Sequence, residues 1–178
     1  MSIVIKSYVY RYKGKKDMIK KKRYSSFTDE QKKEAYKVLE ASNKDPFLKG
    51  YFNLSKFNDY IAEVIFIETK RDDKKKSFGK KEDFIIIGFY KPRKLTKGKY
   101  AGYYRSGPIF ILPDFRKKGY AKEALEMYFK DKPGMCWISD RNTASQSLYT
   151  SLGFTKTKHK LKDPEDDELG TFWIKEIE

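Results

Sequence analysis

The stretch Ile109-Phe-Ile-Leu-Pro-Asp-Phe-Arg-Lys-Lys-Gly-Tyr-Ala121 predicts a strand, a turn and the start of a helix. Apolar residues that favour strands come first, a proline stops them, and basic and small residues occupy the turn. A helix that begins after such a turn offers free backbone N–H groups and the positive end of its dipole to a phosphate. The stretch therefore predicts an anion site at the start of this helix.

A second stretch is Asn142-Thr-Ala-Ser-Gln-Ser-Leu-Tyr-Thr-Ser-Leu-Gly-Phe154. It predicts a helix with Asn142 at its start, Tyr149 two turns later and Gly153 as the C-terminal cap. The two stretches, in this order, predict a pyrophosphate cradle followed by a polar pair near a reaction centre.

Together the two stretches resemble the GNAT superfamily of acyl-CoA-dependent N-acetyltransferases. The cofactor motif of that family, Arg/Gln-x-x-Gly-x-Gly/Ala after an apolar strand, is filled by Arg116, Gly119 and Ala121. Its second motif is filled in register by Asn142, Ser145, Leu148, Tyr149, Leu152, Gly153 and Phe154. Two motifs in the right order are more specific than either alone. Residues 1–100 match the family only in the order of their elements.

The resemblance implies a binding site for acetyl-CoA or another acyl-CoA. The pantetheine would follow a strand edge, and backbone N–H groups after Arg116 would hold the pyrophosphate, with Gly119 allowing a close approach. The implied cofactor-binding residues are Ile109, Phe110, Ile111, Arg116, Lys117, Lys118, Gly119, Tyr120, Ala121, Lys122 and Asn142. The alternative is an ordinary strand-turn-helix unit with a solvated basic turn.

The resemblance also implies direct transfer of the acyl group from a thioester to an amine. Tyr149 would act as a general acid toward the departing thiolate, and a backbone N–H, such as that of Ile111, would meet the oxyanion. Asn142 would bond the pantetheine amide. The alternatives are a core tyrosine with a satisfied hydroxyl and a helix cap, and Asn142 could serve as both cap and ligand.

A general base is missing from the pattern. Some relatives place a glutamate on the strand before the second motif, where this chain has Trp137. A water chain is one substitute, and the other polar candidates are Tyr103, Tyr104, Ser139 and, on the wrong side of the strand end, Asp140.

Cys136 is expected to be a small buried hydrophobe, and His159 a surface residue. With one cysteine and one histidine, no zinc site of the usual spacing exists, and no metal is expected.

Length and composition predict a single domain over residues 1–178, with residues 1–100 as the acceptor side and 101–178 as the acyl-CoA half. The sequence contains no long apolar run and no signal-like N-terminus, and its single cysteine suits a reducing compartment. We expect a cytoplasmic protein that does not use a membrane and is a monomer or homodimer.

The net charge of +15 is concentrated in residues 1–100, which hold 27 Lys and Arg against 13 Asp and Glu. Residues 101–178 hold 13 against 12. This excess predicts a nucleic acid or other polyanion as a partner. The alternative is a set of solvated loops in a lysine-rich proteome, since Lys outnumbers Arg 33 to 7.

Three functions follow from these observations. The leading one is an N-acyltransferase whose amine acceptor is a small amine, a polyamine-like metabolite or a protein lysine. The second is an enzyme of the same fold that modifies a base in DNA or RNA, held by the lysine-rich half. The third is a binding module without catalysis on the same scaffold.

Apolar patterning predicts an α/β (α+β) fold in which strands and helices interleave. The expected strands are 2–12, 62–69, 83–90, 106–112 and 135–139. The expected helices are 54–61, 117–130, 143–152 and an earlier one that has Thr28 or Asp29 as its N-cap and ends near residue 42. Residues 13–23 are expected to be a basic connection, and residues 155–161 and 171–177 a hairpin. The resemblance adds a mixed, mostly antiparallel central sheet with splayed middle strands, flanked by helices.

Overall fold

The computed structural model describes residues 20–49, 65–70, 84–162 and 167–177. The expected strand over 2–12 and the expected helix over 54–61 lie outside these residues. In chain order the elements are β1 (Lys20–Arg23), α1 (Asp29–Ser42), β2 (Ile65–Lys70), β3 (Phe84–Tyr90), β4 (Arg93–Lys94), β5 (Tyr104–Arg105), β6 (Ile109–Ile111), α2 (Tyr120–Phe129), β7 (Gly134–Ser139), α3 (Thr143–Thr150), β8 (Thr155–Lys162) and β9 (Leu169–Lys175).

The described residues divide into two compact units. One contains the described residues up to Tyr90 together with Ile109–Tyr120, and the other contains Lys91–Pro108 and the described residues from Ala121 onward. Each unit has its own hydrogen-bonded sheet. The mixed, mostly antiparallel arrangement with a C-terminal hairpin confirms the predicted fold class.

The first unit is an antiparallel sheet in the order β1-β2-β3-β6, covered by α1. Thr28 caps α1, and Thr28 and Gln31 form a reciprocal capping box, which confirms the predicted helix start. The apolar side of α1 and the sheet share one core, made of Phe27, Ala35, Val38, Leu39, Phe66, Ile86, Phe89 and Phe110. This core fixes β3 and, through its buried Phe110, the outer strand β6.

The second unit is a sheet in the order β4-β5-β7-β9-β8, in which only β5 and β7 run parallel. Its core contains three rings in edge-to-face contact, with Phe154 between Phe129 (5.3 Å between centroids) and Tyr149 (5.1 Å). Gly134 lies against Phe129 and Phe154 so closely that a Cβ there would be 2.7 Å from the Phe154 ring. The packing of Phe129 and Phe154 on β7 therefore depends on a glycine.

Three expected boundaries are wrong. Lys20–Arg23 pairs with β2 as an edge strand instead of forming a connection, since edge strands accommodate lysine. The strand expected over 106–112 is limited to Ile109–Ile111, because Pro108 has no N–H to donate to a ladder. The helix expected from residue 117 begins at Tyr120, because Lys117 and Gly119 have positive φ angles.

Within the described ranges, none of the helices has the length and hydropathy needed to cross a membrane.

Candidate functional site

The outer edge of β6 carries backbone groups that do not face the rest of its sheet. Ile111 lies opposite Gly88, and the N–H of Leu112 donates to the carbonyl of Ile87 at 2.8 Å. This pattern makes Ile111 and Gly88 a non-hydrogen-bonded pair, so the N–H of Ile111 points away from β3. Because β6 is the outermost strand of this sheet, that N–H lies on the side where the sequence predicts a ligand-binding edge.

Close packing of β3 against β6 fixes the position of this edge. A Cβ on Gly88 would be 2.2 Å from the carbonyl oxygen of Phe110 and 2.8 Å from the Cδ1 atom of Ile111. The side chains of Phe110 and Ile111 are buried, and the same register turns the backbone groups of Phe110 toward Phe89. Of these two residues, Ile111 is therefore the one that can offer a ligand its backbone groups.

The turn between β6 and α2 is exposed from Arg116 to Gly119. Lys117 has a φ of 59° and Gly119 a φ of 88°, and backbone N–H groups in such turns form concave sites for anions. Gly119 directly precedes α2 and has no side chain that could cap it, whereas α1 and α3 are capped by Thr28 and Asn142. The first N–H groups of α2 therefore lack a cap from the preceding residue.

The side chains around this turn are held by the protein itself. Tyr120 is buried, and its ring lies 6.4 Å from that of Phe115, so its contribution to a ligand would come from its backbone. Lys118 lies over the same Phe115 ring at 5.2 Å. Lys122 forms an ion pair with Glu126 at 3.7 Å on the surface of α2.

Arg116 ties the turn to the rest of the first unit. Its Nε donates to the carbonyl of Ile111 at 2.9 Å, and its Nη2 donates to Asp45 at 2.9 Å. Its guanidinium also lies 5.3 Å from the centre of the Phe110 ring. The arginine predicted to add charge near a phosphate thus already has a carboxylate partner.

Asn142 is the N-cap of α3, since its Oδ1 accepts a hydrogen bond from the N–H of Ser145 at 3.0 Å. This is the alternative role that the sequence predicted. The cap uses the acceptor of the amide and leaves its NH₂ group as a possible donor to a ligand.

Tyr149 is buried in the second unit, and its hydroxyl lies 2.5 Å from the hydroxyl of Ser106. Burial raises the pKa of Tyr149 far above its usual value of 10.0, the neighbouring Cys136 acts in the same direction, and the hydrogen bond with Ser106 opposes them. Tyr149 is therefore protonated at neutral pH, as a proton donor must be.

Sequence reasoning missed Ser106. It was expected to be the first residue of a strand, and nothing in its sequence neighbourhood points to a residue 43 positions away. The useful signal was weak: Ser106 precedes Gly-Pro, where a chain leaves a strand.

Two of the polar residues named as base candidates form hydrogen bonds with carboxylates of the second unit. Tyr103 donates to Glu176 at 2.5 Å, an interaction that raises the pKa of its phenol. Ser139 donates to Glu168, whose pKa is lowered chiefly by the hydrogen bond from Arg141. Both groups keep their protons at neutral pH, and a neutral phenol or alcohol is a weak base.

Asp140 is also unsuited to act as a base. It accepts hydrogen bonds from Lys160 at 2.9 Å and Thr171 at 2.8 Å, and Lys156 lies 3.5 Å away. These contacts, the Lys160 hydrogen bond first, lower the pKa of Asp140 to about 2. Tyr104, the remaining side-chain candidate, packs edge to face on Tyr128 with 5.7 Å between ring centres.

Two other expectations are confirmed. Cys136 is buried, and burial raises the pKa of its thiol well above its usual range, so it remains protonated. His159 is exposed and stacks on Phe172 with 5.1 Å between ring centres.

A basic loop, residues 93–105, is also part of the second unit. Its five cations are exposed, and it contains no acidic residue. Tyr100 and Tyr103 are half-buried, with 5.4 Å between their ring centres, and Lys99 lies 5.4 Å from the centre of the Tyr100 ring. This loop therefore presents part of the positive charge of residues 1–100 to solvent.

The predicted site residues are divided between the units. Ile109–Ile111 and the turn from Arg116 to Tyr120 are in the first, and Ala121, Lys122, Asn142 and Tyr149 are in the second.

Comparison with known proteins supports the resemblance. The family model described as Acetyltransferase (GNAT) family matches residues 23–154. No curated protein shows significant similarity to the chain.

Several solved structures share the fold. The ribosomal-protein-S18-alanine N-acetyltransferase from Escherichia coli is 15% identical over 90% of this chain and 94% of that chain, with a TM-score of 0.58. NAA60 from Arabidopsis thaliana in complex with acetyl-CoA is 13% identical over 89% and 99%, with a TM-score of 0.62. The NatC complex bound to Gag peptide and CoA is 17% identical over 90% and 99%, with a TM-score of 0.59.

Proposed function

Because this chain belongs to the GNAT acetyltransferase family, we propose that it transfers an acetyl group from acetyl-CoA to a primary amine, with residues 1–178 acting as one acyltransferase domain. The observation that carries this proposal is the start of α2. An exposed turn with positive φ at Lys117 and Gly119 leads into a helix whose preceding residue cannot cap it. That arrangement favours a pyrophosphate.

The proposed cofactor contacts use mainly backbone groups. The N–H groups from Lys117 to Lys122 would bind the pyrophosphate, and the outer edge of Ile109–Ile111 would bind the pantetheine. The NH₂ group of Asn142 would donate to a pantetheine carbonyl. When bound, the cofactor supplies an acyl carbonyl activated by its thioester.

The proposed transfer step uses two groups of the chain on the reacting atoms. The amine nitrogen forms a bond to the acyl carbon while the N–H of Ile111 donates to the developing oxyanion. The carbon–sulfur bond breaks with its electron pair on sulfur, and Tyr149 protonates that sulfur. The amine loses one proton to water, and water returns one proton to the Tyr149 phenolate, so that protons balance.

An amine acceptor is the part of the proposal that the relatives support by their names. They include an alanine N-acetyltransferase and an acetyltransferase complex bound to a peptide. The strongly basic composition of residues 1–100 disfavours polycationic acceptors such as polyamines, because like charges repel. Peptide and protein amines, together with small neutral amines, are therefore the first acceptors to test.

Calorimetric titration with acetyl-CoA tests the proposal. We expect micromolar binding, with S-acetylpantetheine, which lacks the pyrophosphate and nucleotide, binding at least about a hundredfold more weakly. Turnover is then measured as CoA thiol released in the presence of each candidate amine. Absence of acetyl-CoA binding would contradict the proposed function.

The basic loop supports a second candidate function, in which a nucleic acid is the acceptor or the partner. Its exposed cations include Lys97 and Lys99, and the half-buried ring of Tyr100 offers a surface for a base. The fold would be the same, but the lysines would hold phosphates.

Binding of a fluorescent single-stranded oligonucleotide at several salt concentrations tests this second candidate. We expect an affinity that falls steeply with salt if the loop binds phosphates. Lys97→Gln and Lys99→Gln should then weaken binding, whereas Lys158→Gln, an exposed lysine on β8, serves as the control. Affinity unaffected by the loop variants excludes this role for the basic loop.

A further inference from the structure

Ser106 and Tyr149 form a buried pair of hydroxyls in the second unit. Their oxygens are 2.5 Å apart, and the two residues are 7% and 3% exposed. Shielding from water strengthens a hydrogen bond between two such groups. The pair is absent from the motifs that identify the family, which include Tyr149 and omit Ser106.

The backbone holds Ser106 firmly. Its N–H donates to the carbonyl of Met135 on β7 at 2.7 Å. The next residue, Gly107, lies so close to Lys91 that a Cβ there would be 2.2 Å from the Lys91 carbonyl oxygen. The backbone of Ser106 is therefore fixed beside Tyr149, and its hydroxyl can leave Tyr149 only by rotation about χ1.

Tyr149 needs help to act as an acid. A thiolate is a weaker base than a phenolate, because ordinary thiols have pKa values of about 8.5 and ordinary phenols about 10. Burial raises the pKa of Tyr149 further, which widens this gap. Among the described residues, the hydrogen bond with Ser106 is the contact that lowers this pKa and so narrows the gap.

We propose that Ser106 is a positioning residue for the transfer step, donating a hydrogen bond to the Tyr149 oxygen so that the phenol proton points at the sulfur. This inference rests on the proposed function. A tyrosine hydroxyl has one proton, so accepting from Ser106 leaves that proton free for another partner. Ser106 keeps its own proton throughout, and the proton that reaches sulfur comes from Tyr149.

A hydrogen bond in the opposite direction would make the pair merely structural. If Tyr149 donates to Ser106, the phenol proton is occupied, and Ser106 stabilises the resting tyrosine instead of its deprotonated form. The two directions of the hydrogen bond predict different responses of the rate of thiol release to the acidity of Tyr149.

The test makes two measurements on each variant. Calorimetry gives the acetyl-CoA affinity, and the slow hydrolysis of acetyl-CoA, which needs no amine acceptor, is followed as released CoA thiol. The variants are Ser106→Ala, Tyr149→Phe and the double variant. Ser42→Ala is the matched control, since Ser42 is also buried and bonds the carbonyl of Leu39. Ser106→Cys keeps the size of the side chain and a weak donor, should the alanine variant fold poorly.

We expect Ser106→Ala to slow thiol release about tenfold and Tyr149→Phe about a hundredfold, while acetyl-CoA affinity changes by less than about twofold. The double variant should be no slower than Tyr149→Phe, because Ser106 acts through Tyr149. A fluorinated tyrosine at position 149, which is more acidic, should restore much of the rate lost in Ser106→Ala.

Several results would overturn the role of Ser106 and leave the cofactor site standing. The first two are a rate of thiol release in Ser106→Ala equal to that of the wild type, and additive losses of rate in the double variant. The others are no recovery of rate with fluorotyrosine at position 149, and a wild-type rate no faster than that of Tyr149→Phe. Failure of the wild-type protein to bind acetyl-CoA overturns the proposed function and this role together.

Discussion

Arg116 and Asp45 form an ion pair, with 2.9 Å between Nη2 and Oδ2, in which the aspartate side chain is 14% exposed and the arginine 45%. The same guanidinium donates through Nε to the carbonyl of Ile111. The first residue of the proposed cofactor motif therefore braces the turn against β6 and against the segment after α1. Asp45 also offsets the positive charge that Arg116 would bring to a phosphate.

We expect Arg116→Ala to lower the free energy of unfolding by about 2 kcal/mol, because it removes two hydrogen bonds and leaves a mostly buried carboxylate without its partner. Urea denaturation measures this. The control is Lys32→Ala, which removes an exposed ion pair with Asp29 and should cost less than about 1 kcal/mol. Equal losses in the two variants would show that Arg116 does not brace the turn.

Gly119→Glu should abolish acetyl-CoA binding. The φ of 88° strains any side chain, and a carboxylate at this turn would repel a pyrophosphate. Gly98→Glu is the matched control, because Gly98 has a φ of 81° and open space around it, so strain and charge are reproduced in another loop. Calorimetry measures the acetyl-CoA affinity of both variants, and Gly98→Glu should keep the wild-type affinity. Unchanged affinity in Gly119→Glu would contradict the assignment of this turn to the pyrophosphate.

Local sequence signals predicted most elements of the described fold. Thr28, one of two expected caps, marked the start of α1, and Gly153, with a φ of 82°, marked the end of α3. Such signals succeed because caps and left-handed turns depend on residues adjacent in sequence. The strand at Lys20–Arg23 was missed because its pairing with β2 depends on residues more than forty positions away.

The candidate site was predictable in its motif and not in its contacts. The turn before α2 and the cap at Asn142 follow from short spacings. The bond from Arg116 to Asp45 and the pair of Ser106 with Tyr149 join residues 71 and 43 positions apart. No local propensity encodes such distances, which only the packed chain brings together.

Tyr149→Phe should lower turnover more than it lowers acetyl-CoA affinity. The substitution removes one hydroxyl, which the proposal uses only when the carbon–sulfur bond breaks, so kcat should fall by about a hundredfold or more. Steady-state kinetics with an accepted amine, set beside calorimetric affinity, separates the two quantities. Equal losses in both would contradict the general-acid role.

The cluster at Asp140 predicts a specific acid sensitivity of the second unit. Hydrogen bonds from Lys160, then from Thr171, lower the pKa of Asp140 from the usual 3.8 to about 2. A carboxyl group with a lowered folded-state pKa stabilises the fold above its usual pKa and loses that contribution as pH falls through the folded value. The contribution of Asp140 is therefore complete above about pH 5 and disappears toward about pH 2.

We therefore compare the free energies of unfolding of the wild type and Asp140→Asn by urea denaturation across this range. The wild type should be more stable near neutral pH, and the difference should narrow as pH falls from about 4 to about 2. Taking the difference cancels the separate titration of Glu168, which is present in both proteins. In a Lys160→Met background, which lacks the largest cause of the lowered pKa, the effect of Asp140→Asn on the free energy of unfolding should change less with pH and reach its acid limit at a higher pH. A difference independent of pH would show that these contacts do not stabilise the charged form of Asp140.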